Sequence, residues 1–192
     1  MKKLLAVILT LALTFTAASA LAETELVVFG AASMTEALTQ IGTMYEELHP
    51  DITLVFNFDS SGTLQTQIEE GAEADVFVSA GQKQMNALDV TADAEKNPNG
   101  QDFIITDTRF DLLTNTIVLI VPEGSDKGIT SFEDAATDKV DLIAMGNSDV
   151  PVGQYAQDVY EYLGLWDQLN AEGKITFGTN VKEVLAQVEA AA

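Results

Sequence analysis

The sequence predicts an α/β protein made of two similar lobes. Short runs of β-branched and apolar residues alternate along the chain with segments whose apolar residues recur at helical spacing. This alternation favours parallel sheets that are covered by helices. The chain has 192 residues, of which 47% are apolar, and this length suits one domain or two small lobes with a closed core.

The first segment of the chain has the features of a secretory signal. Lys2 and Lys3 precede an apolar run over residues 4–15, and two Ala-x-Ala triplets follow, the second of which ends at Ala22. This pattern predicts a signal peptide over residues 1–22 that is removed on export. A buried or membrane-anchoring helix is the alternative, although the run is shorter than the ~20 residues that a span needs. Because the sequence contains no cysteine, we expect no lipid anchor.

The first predicted lobe covers residues 23–108. Its longest helix has apolar residues at i, i+3, i+4 and i+7 intervals from Met34 to Leu48, and it ends at His49, the residue before a proline. The other predicted elements of this lobe are strands over residues 26–29, 52–58 and 76–79 and a helix over residues 64–70.

The second predicted lobe covers residues 109–192 and meets the first near residues 107–112. A fully apolar strand is predicted over residues 117–121, where Pro122 closes it. The remaining predicted elements are strands over residues 142–145 and 174–177, a helix over residues 152–163, and a last helix that begins at Val181.

The composition removes several classes of chemistry. The chain carries 30 acidic and 9 basic residues, a formal net charge of -21, and such a surface repels nucleic acid and anionic lipid. The lack of cysteine excludes disulfides, thiolate nucleophiles and zinc-thiolate sites, and the single His49 leaves no imidazole cluster for a metal. We therefore expect no nucleic-acid partner, no metal cation held by direct ligands and no cofactor.

Four predicted helix starts carry small or neutral hydrogen-bonding residues. Ser33 and Glu36 have the spacing of a capping box, and residues 59–63 open the next helix. Pro151 suits a first helical turn, and Asn180 begins another capping arrangement. Each start presents unpaired amides and a partial positive charge, the ingredients of an anion site without lysine or arginine. Ordinary capping explains any one start alone, whereas convergence in one crevice would favour the anion site.

Five segments in one order resemble a known family. They are residues 29–38, 57–64, 74–80, 150–156 and 180–181, and together they are similar to the periplasmic molybdate-binding proteins of ABC transporters, a type II solute-binding family. The resemblance covers nearly all of the chain after residue 22. It implies a two-lobe periplasmic-binding-protein-like fold, each lobe a sheet flanked by helices, that closes over a dehydrated tetrahedral oxyanion. It further implies a monomeric periplasmic receptor that catalyses nothing and delivers molybdate or tungstate to a membrane permease.

The resemblance assigns four residues to the oxyanion. Ser33 and Ser61 would supply hydroxyl and backbone N–H donors from the first lobe. Val152, where the family usually has alanine, and Val181 would supply backbone N–H donors from the second. The metal would be held only as its oxyanion by these same residues.

One departure from the family concerns the end of the chain. The family continues past the last helix into a strand whose tyrosine donates a further hydroxyl to the anion, whereas this sequence stops at Ala192. We therefore expect a truncated sequence that lacks one ligand and the return to the first lobe. Tyr155, Tyr160 and Tyr162 lie on or beside the preceding helix, and we do not expect them to fill that role.

Several rival functions stay open at this point. Molybdate, tungstate and sulfate carry no proton at neutral pH and need donors only, whereas phosphate keeps a proton that Asp59 could accept. A larger polar solute, such as a carboxylate, would predict an arginine or an aromatic ring at the cleft, but Arg109 lies near the expected hinge and Trp166 follows a helix end. An enzyme with Ser61 as nucleophile is disfavoured because no G-x-S-x-G elbow surrounds it.

Overall fold

The computed structural model describes residues 24–190, and the predicted signal peptide lies outside the described residues. The first sheet contains β1 (Thr24–Ala31), β2 (Ile52–Asp59) and β3 (Val76–Val78). Its strands are parallel in the order β2-β1-β3, and Thr24 pairs with Ile52 at the start of the longest ladder. The predicted parallel sheet of the first lobe is confirmed.

Helices cover this sheet, and the sequence predicted all but one of them. A 3-10 turn (Ala32–Met34) leads into α1 (Thr35–Leu48), and α2 (Ser61–Glu69) and α3 (Gln82–Leu88) follow the next two strands. The apolar core between them consists of Phe29, Leu64, Ile68 and Leu88. The predicted end of α1 at His49 is confirmed, and α3 is a helix that the sequence pattern did not predict.

The second sheet is smaller and has the same parallel arrangement. It contains β4 (Ile143–Gly146) and β5 (Ile175–Gly178), which pair in register. Its helices are α4 (Phe132–Ala135), α5 (Pro151–Tyr162), α6 (Trp166–Ala171) and α7 (Val181–Ala190). Within residues 24–190, no helix is long and apolar enough to cross a membrane.

The start of α5 approaches the end of β4 so closely that both sides need glycine. A Cβ atom on Gly146 would lie 2.9 Å from the backbone nitrogen of Gly153. A Cβ atom on Gly153 would overlap the carbonyl oxygen of Gly146 and approach that of Asn147 at 2.5 Å. This contact fixes the position of the first turn of α5, which lies at the cleft described below.

The predicted strand over residues 117–121 is wrong. This segment is irregular, and β4 and β5 pair only with each other among the described residues. The core of the second lobe includes Met145, Tyr160 and Leu169. Ile117 and Leu119 pack against this core, whereas Val118 is 68% exposed. The side chains therefore alternate between buried and exposed positions, as they do in a strand. A β-strand also needs a neighbouring strand with free backbone N–H and C=O groups to bond with, so strand propensity alone does not form one.

The segment that links the lobes is attached to the first lobe by Arg109. Its guanidinium donates to Asp89 at 2.8 Å and to Gln82 and Asn86 at 2.7 Å each. The Asp89 carboxylate is nearly buried, and hydrogen bonds from the Thr91 hydroxyl and from Arg109 hold its pKa below the usual value. The lobe boundary between residues 108 and 109 stays a prediction.

Removal of the Arg109 charge is expected to destabilise the protein. Arg109→Met leaves the nearly buried Asp89 carboxylate without its cation, and we expect a loss of about 2 to 3 kcal/mol in the free energy of unfolding. Because the pKa of Asp89 is lowered by folding, its contribution is present above its unfolded pKa and disappears as the pH falls through its folded pKa. Urea unfolding at neutral pH and below about pH 4 measures both effects.

A matched control for this prediction is Lys96→Met. Lys96 pairs with Asp93 on the surface, where the two side chains are 57% and 77% exposed. Its removal should change the unfolding free energy by less than about 0.5 kcal/mol. Equal effects of Arg109→Met and Lys96→Met would contradict a structural role for the Asp89 ion pair.

Candidate functional site

A cavity of about 1430 Å³ lies between the two lobes, where strands lead into helices. Ser33, Ser61, Val152 and Val181 all line it. The structure therefore brings together the four residues that the sequence analysis singled out, two from each lobe. That they bind an anion stays a prediction. The local geometry shows which hydrogen-bond donors each of them leaves free.

The start of α2 leaves one amide unused. The Ser60 hydroxyl caps the helix by accepting the backbone N–H of Thr63 at 3.1 Å, and Asp59 accepts that of Ser60 at 2.7 Å. Gly62 donates its N–H across the cleft to the carbonyl of Asp149 at 3.0 Å. Among residues 24–190 the Ser61 N–H has no acceptor, because a first-turn amide has no partner inside its own helix.

The starts of α5 and α7 show the same pattern. At α5, Pro151 has no N–H and Gly153 turns its N–H back to Val150 at 2.9 Å, which leaves the N–H of Val152 without an acceptor in the described chain. At α7, the Asn180 side chain accepts the N–H groups of the second and third helical residues at 3.0 and 3.1 Å. The N–H of Val181, the first helical residue, has no acceptor there either. The predicted positions of Pro151 and Asn180 are confirmed.

The predicted capping box at Ser33 is wrong. β1 leads directly into the 3-10 turn, so Ser33 lies inside that turn and Ala31 takes the cap position without a side-chain bond. Glu36 instead accepts a hydrogen bond from Lys182 of α7 at 2.8 Å. Ser33 is consequently exposed, and its hydroxyl and amide have no partner among the described residues.

The Ser61 hydroxyl is held in place by a residue that sequence reasoning missed. Ser61 is fully buried, and its oxygen accepts the backbone N–H of Ala80 at 2.9 Å. Because that bond occupies a lone pair of the oxygen, it leaves the hydroxyl proton free to be donated. The Asn115 side chain in turn donates to the Ala80 carbonyl at 2.9 Å. Only the folded chain reveals this link, since 19 residues separate Ser61 from Ala80.

The residues that the alternative ligands would require do not line the cavity. They are Asp59 for phosphate, and Arg109 and Trp166 for a larger polar solute. Trp166 packs against the core of the second lobe. The described residues contain no group of three or more His, Cys, Asp or Glu side chains that could hold a metal ion.

The three tyrosines near α5 differ in position. Tyr155 and Tyr160 line the cavity, whereas Tyr162 is 90% exposed. The Tyr160 hydroxyl is buried and has no hydrogen-bond partner within residues 24–190. Burial, with a smaller contribution from the nearby Glu133 charge, raises the pKa of Tyr160 to about 12. Tyr160 therefore remains protonated at physiological pH.

Comparison with known proteins decides the family. The family model described as bacterial extracellular solute-binding protein matches residues 26–192. The chain belongs to this family. The resemblance drawn from the five sequence segments is thereby confirmed, and the family is one of solute-binding proteins.

Individual members of the solute-binding family give a finer comparison. A molybdate-binding protein of Haemophilus influenzae is 36% identical over 197 residues, covering 100% of this chain and 72% of that protein. A Bacillus subtilis protein named as a substrate-binding lipoprotein of an ABC transporter is 37% identical over 165 residues, covering 85% of this chain. This chain spans 58% of the length of the Bacillus protein.

A solved structure supports the predicted architecture. The substrate-binding domain of a molybdenum ABC transporter from Clostridium difficile matches with a TM-score of 0.57 at 40% identity. The match covers 88% of this chain and 68% of that domain. The predicted two-lobe fold of periplasmic solute-binding proteins is confirmed.

Proposed function

We propose that this protein is an extracytoplasmic receptor that binds molybdate or tungstate between its lobes and delivers it to the permease of an ABC importer. It acts as a periplasmic monomer after export by its signal peptide, and it carries its ligand without transforming it. The observation that carries the proposal is a set of four backbone N–H groups, at Ser33, Ser61, Val152 and Val181, that have no acceptor among residues 24–190 and whose residues line one cavity. The relatives, one named for molybdate and one for molybdenum, support the choice of ligand.

The donor set favours a proton-free dianion. Amide and hydroxyl protons stabilise an anion without adding a countercharge, and donors to a charged group form the stronger class of hydrogen bond. Phosphate would reward a free acceptor at the site. Asp59, the acceptor considered from the sequence, accepts the N–H of Ser60 and does not line the cavity, and the Glu36 carboxylate, which does line it, is paired with Lys182. Sulfate, phosphate and organic carboxylates are the alternative ligands that a binding experiment must separate.

Calorimetric titration of the full chain with molybdate, tungstate, sulfate, phosphate and an organic carboxylate such as acetate tests the proposal. We expect tight binding of molybdate and tungstate and weaker binding of the other three anions. A preference for phosphate or for a carboxylate would defeat the assignment.

The two serine hydroxyls give a residue-level prediction. Ser61→Ala and Ser33→Ala each remove a donor to a charged ligand, so each should weaken molybdate binding by about 1 to 3 kcal/mol, or roughly 5- to 150-fold. Thr43→Ala is the matched control, because its hydroxyl lies on the exposed part of α1 and donates to the Thr39 carbonyl. Unchanged affinity in both serine variants would exclude these hydroxyls as ligands.

A further inference from the structure

One ion pair joins a helix of the first lobe to a helix of the second. The Lys182 ammonium donates to the Glu36 carboxylate at 2.8 Å, although 146 residues separate them in the sequence. Glu36 lies in the first turn of α1 and Lys182 in the first turn of α7, and both line the cleft. Among the ion pairs of residues 24–190, no other connects helices of different lobes.

Two other contacts across the cleft join neutral groups. Gly62 at the start of α2 donates to the Asp149 carbonyl at 3.0 Å. The Gln84 amide of α3 donates to the Gln154 amide of α5 at 3.4 Å. Salt screens interactions between exposed charges, whereas bonds between neutral peptide and amide groups respond little to it. Apart from the Arg109–Asp89 pair at the linking segment, the described residues therefore bridge the lobes by neutral contacts and by one ionic contact, Glu36–Lys182.

We propose that the Glu36–Lys182 pair is an ionic clasp that holds the cleft closed between α1 and α7 and that its opening sets the rate of ligand release. The part of the proposal that concerns lobe closure needs no ligand, whereas the part that concerns the rate of ligand release rests on the proposed function. α7 packs against the 3-10 turn that contains Ser33. Opening of the clasp would therefore separate Ser33 from Val181, which belong to opposite lobes.

The clasp is charged at neutral pH but is weak enough to open. The hydrogen bond from Lys182 holds the pKa of the Glu36 carboxyl below its ordinary value, so the carboxylate is ionised there. The two side chains are nevertheless exposed, 47% for Lys182 and 72% for Glu36. Exposed ion pairs shift an equilibrium by a small factor that falls with added salt, here about two- to fivefold.

Interlobe distances test the clasp without any ligand. Because the sequence has no cysteine, Gln40→Cys on α1 and Ala186→Cys on α7 provide two unique spin-label positions for pulsed electron paramagnetic resonance on the full chain. We expect Lys182→Met and Glu36→Gln to lower the ratio of closed to open molecules by about two- to fivefold. The exchanged pair Glu36→Lys with Lys182→Glu should restore it. Distance distributions that are identical in the parent and both single variants would overturn the clasp.

The dissociation rate of molybdate tests whether the clasp controls ligand release. In the parent, the dissociation rate of radiolabelled molybdate should rise with sodium chloride. In Lys182→Met it should be about two- to fivefold faster and insensitive to salt. Lys139→Met, which breaks an ion pair with Asp134 inside the second lobe, is the matched control. A change in the association rate alone would overturn the clasp, because Lys182 would then act only by attracting the anion.

The two experiments separate the clasp from the proposed function. If the parent binds none of the tested oxyanions, the proposed function fails, and the distance measurement still decides whether the pair holds the lobes together. If the parent binds molybdate and the charge exchange does not restore slow release, the clasp fails and the proposed function stands.

Discussion

Replacement of Gly153 by alanine is expected to detach α5 from β4 and to cost about 3 kcal/mol in the free energy of unfolding. The added Cβ would overlap the backbone carbonyl of Gly146 and press on that of Asn147. Backbone atoms of a strand cannot rotate away as the tip of a side chain can, so the helix itself must move. Because Val152 lies in the same helical turn, we also expect molybdate binding to be lost.

Gly42→Ala is the control for this variant. Gly42 is also helical, but its added Cβ would meet the tip of the Phe56 ring at 2.8 Å, and that ring can shift. Alanine is favoured over glycine inside a helix by about 1 kcal/mol, which offsets the crowding. Urea unfolding followed by circular dichroism compares the two. An unchanged midpoint for Gly153→Ala would show that α5 tolerates displacement from β4.

Much of the fold could be predicted because strands and helices were marked by local patterns. Three of these patterns involve only residues that are close in sequence. They are the apolar spacing of α1, the end of α1 just before Pro50, and the presence of Pro151 in the first turn of α5. The failure over residues 117–121 has a different cause, because a ladder depends on a partner strand that no local pattern encodes. The short helices α3, α4 and α6 were missed because they carry too few turns for a clear apolar period.

The candidate site could be predicted as a set of helix starts but not as a set of contacts. The sequence marked the helix starts, the family resemblance assigned Ser33, Ser61, Val152 and Val181 to the ligand, and all four line one cavity of the fold. The sequence could not indicate that Ala80 orients the Ser61 hydroxyl, because that bond depends on how two loops meet in space. The predicted capping box at Ser33 was wrong for a related reason. A 3-10 turn precedes α1 and contains Ser33, so Ser33 does not take the N-cap position that a capping box with Glu36 requires.

Gly62→Ala is expected to weaken molybdate binding by at least about 100-fold while the first lobe keeps its stability. The Gly62 N–H bonds to the Asp149 carbonyl of the second lobe at 3.0 Å. An added Cβ would overlap that carbonyl oxygen and lie 2.9 Å from the carbonyl carbon. The lobes would then be unable to reach the closed position, and the donors at Val152 and Val181 would no longer reach an anion held by the first lobe.

The size of this effect follows from the bonds that are lost. Two hydrogen bonds to a charged ligand, at roughly 1.5 kcal/mol or more each, amount to about 3 kcal/mol, which corresponds to about 100-fold in affinity. Calorimetric titration with molybdate measures the affinity, and urea unfolding measures stability. Thr66→Ala on the exposed side of α2 is the control and should leave binding unchanged. Because the nearest atoms to the added Cβ all belong to Asp149, parent-like binding by Gly62→Ala would mean that ligand capture does not need this closure. The two valine amides would then not be ligands.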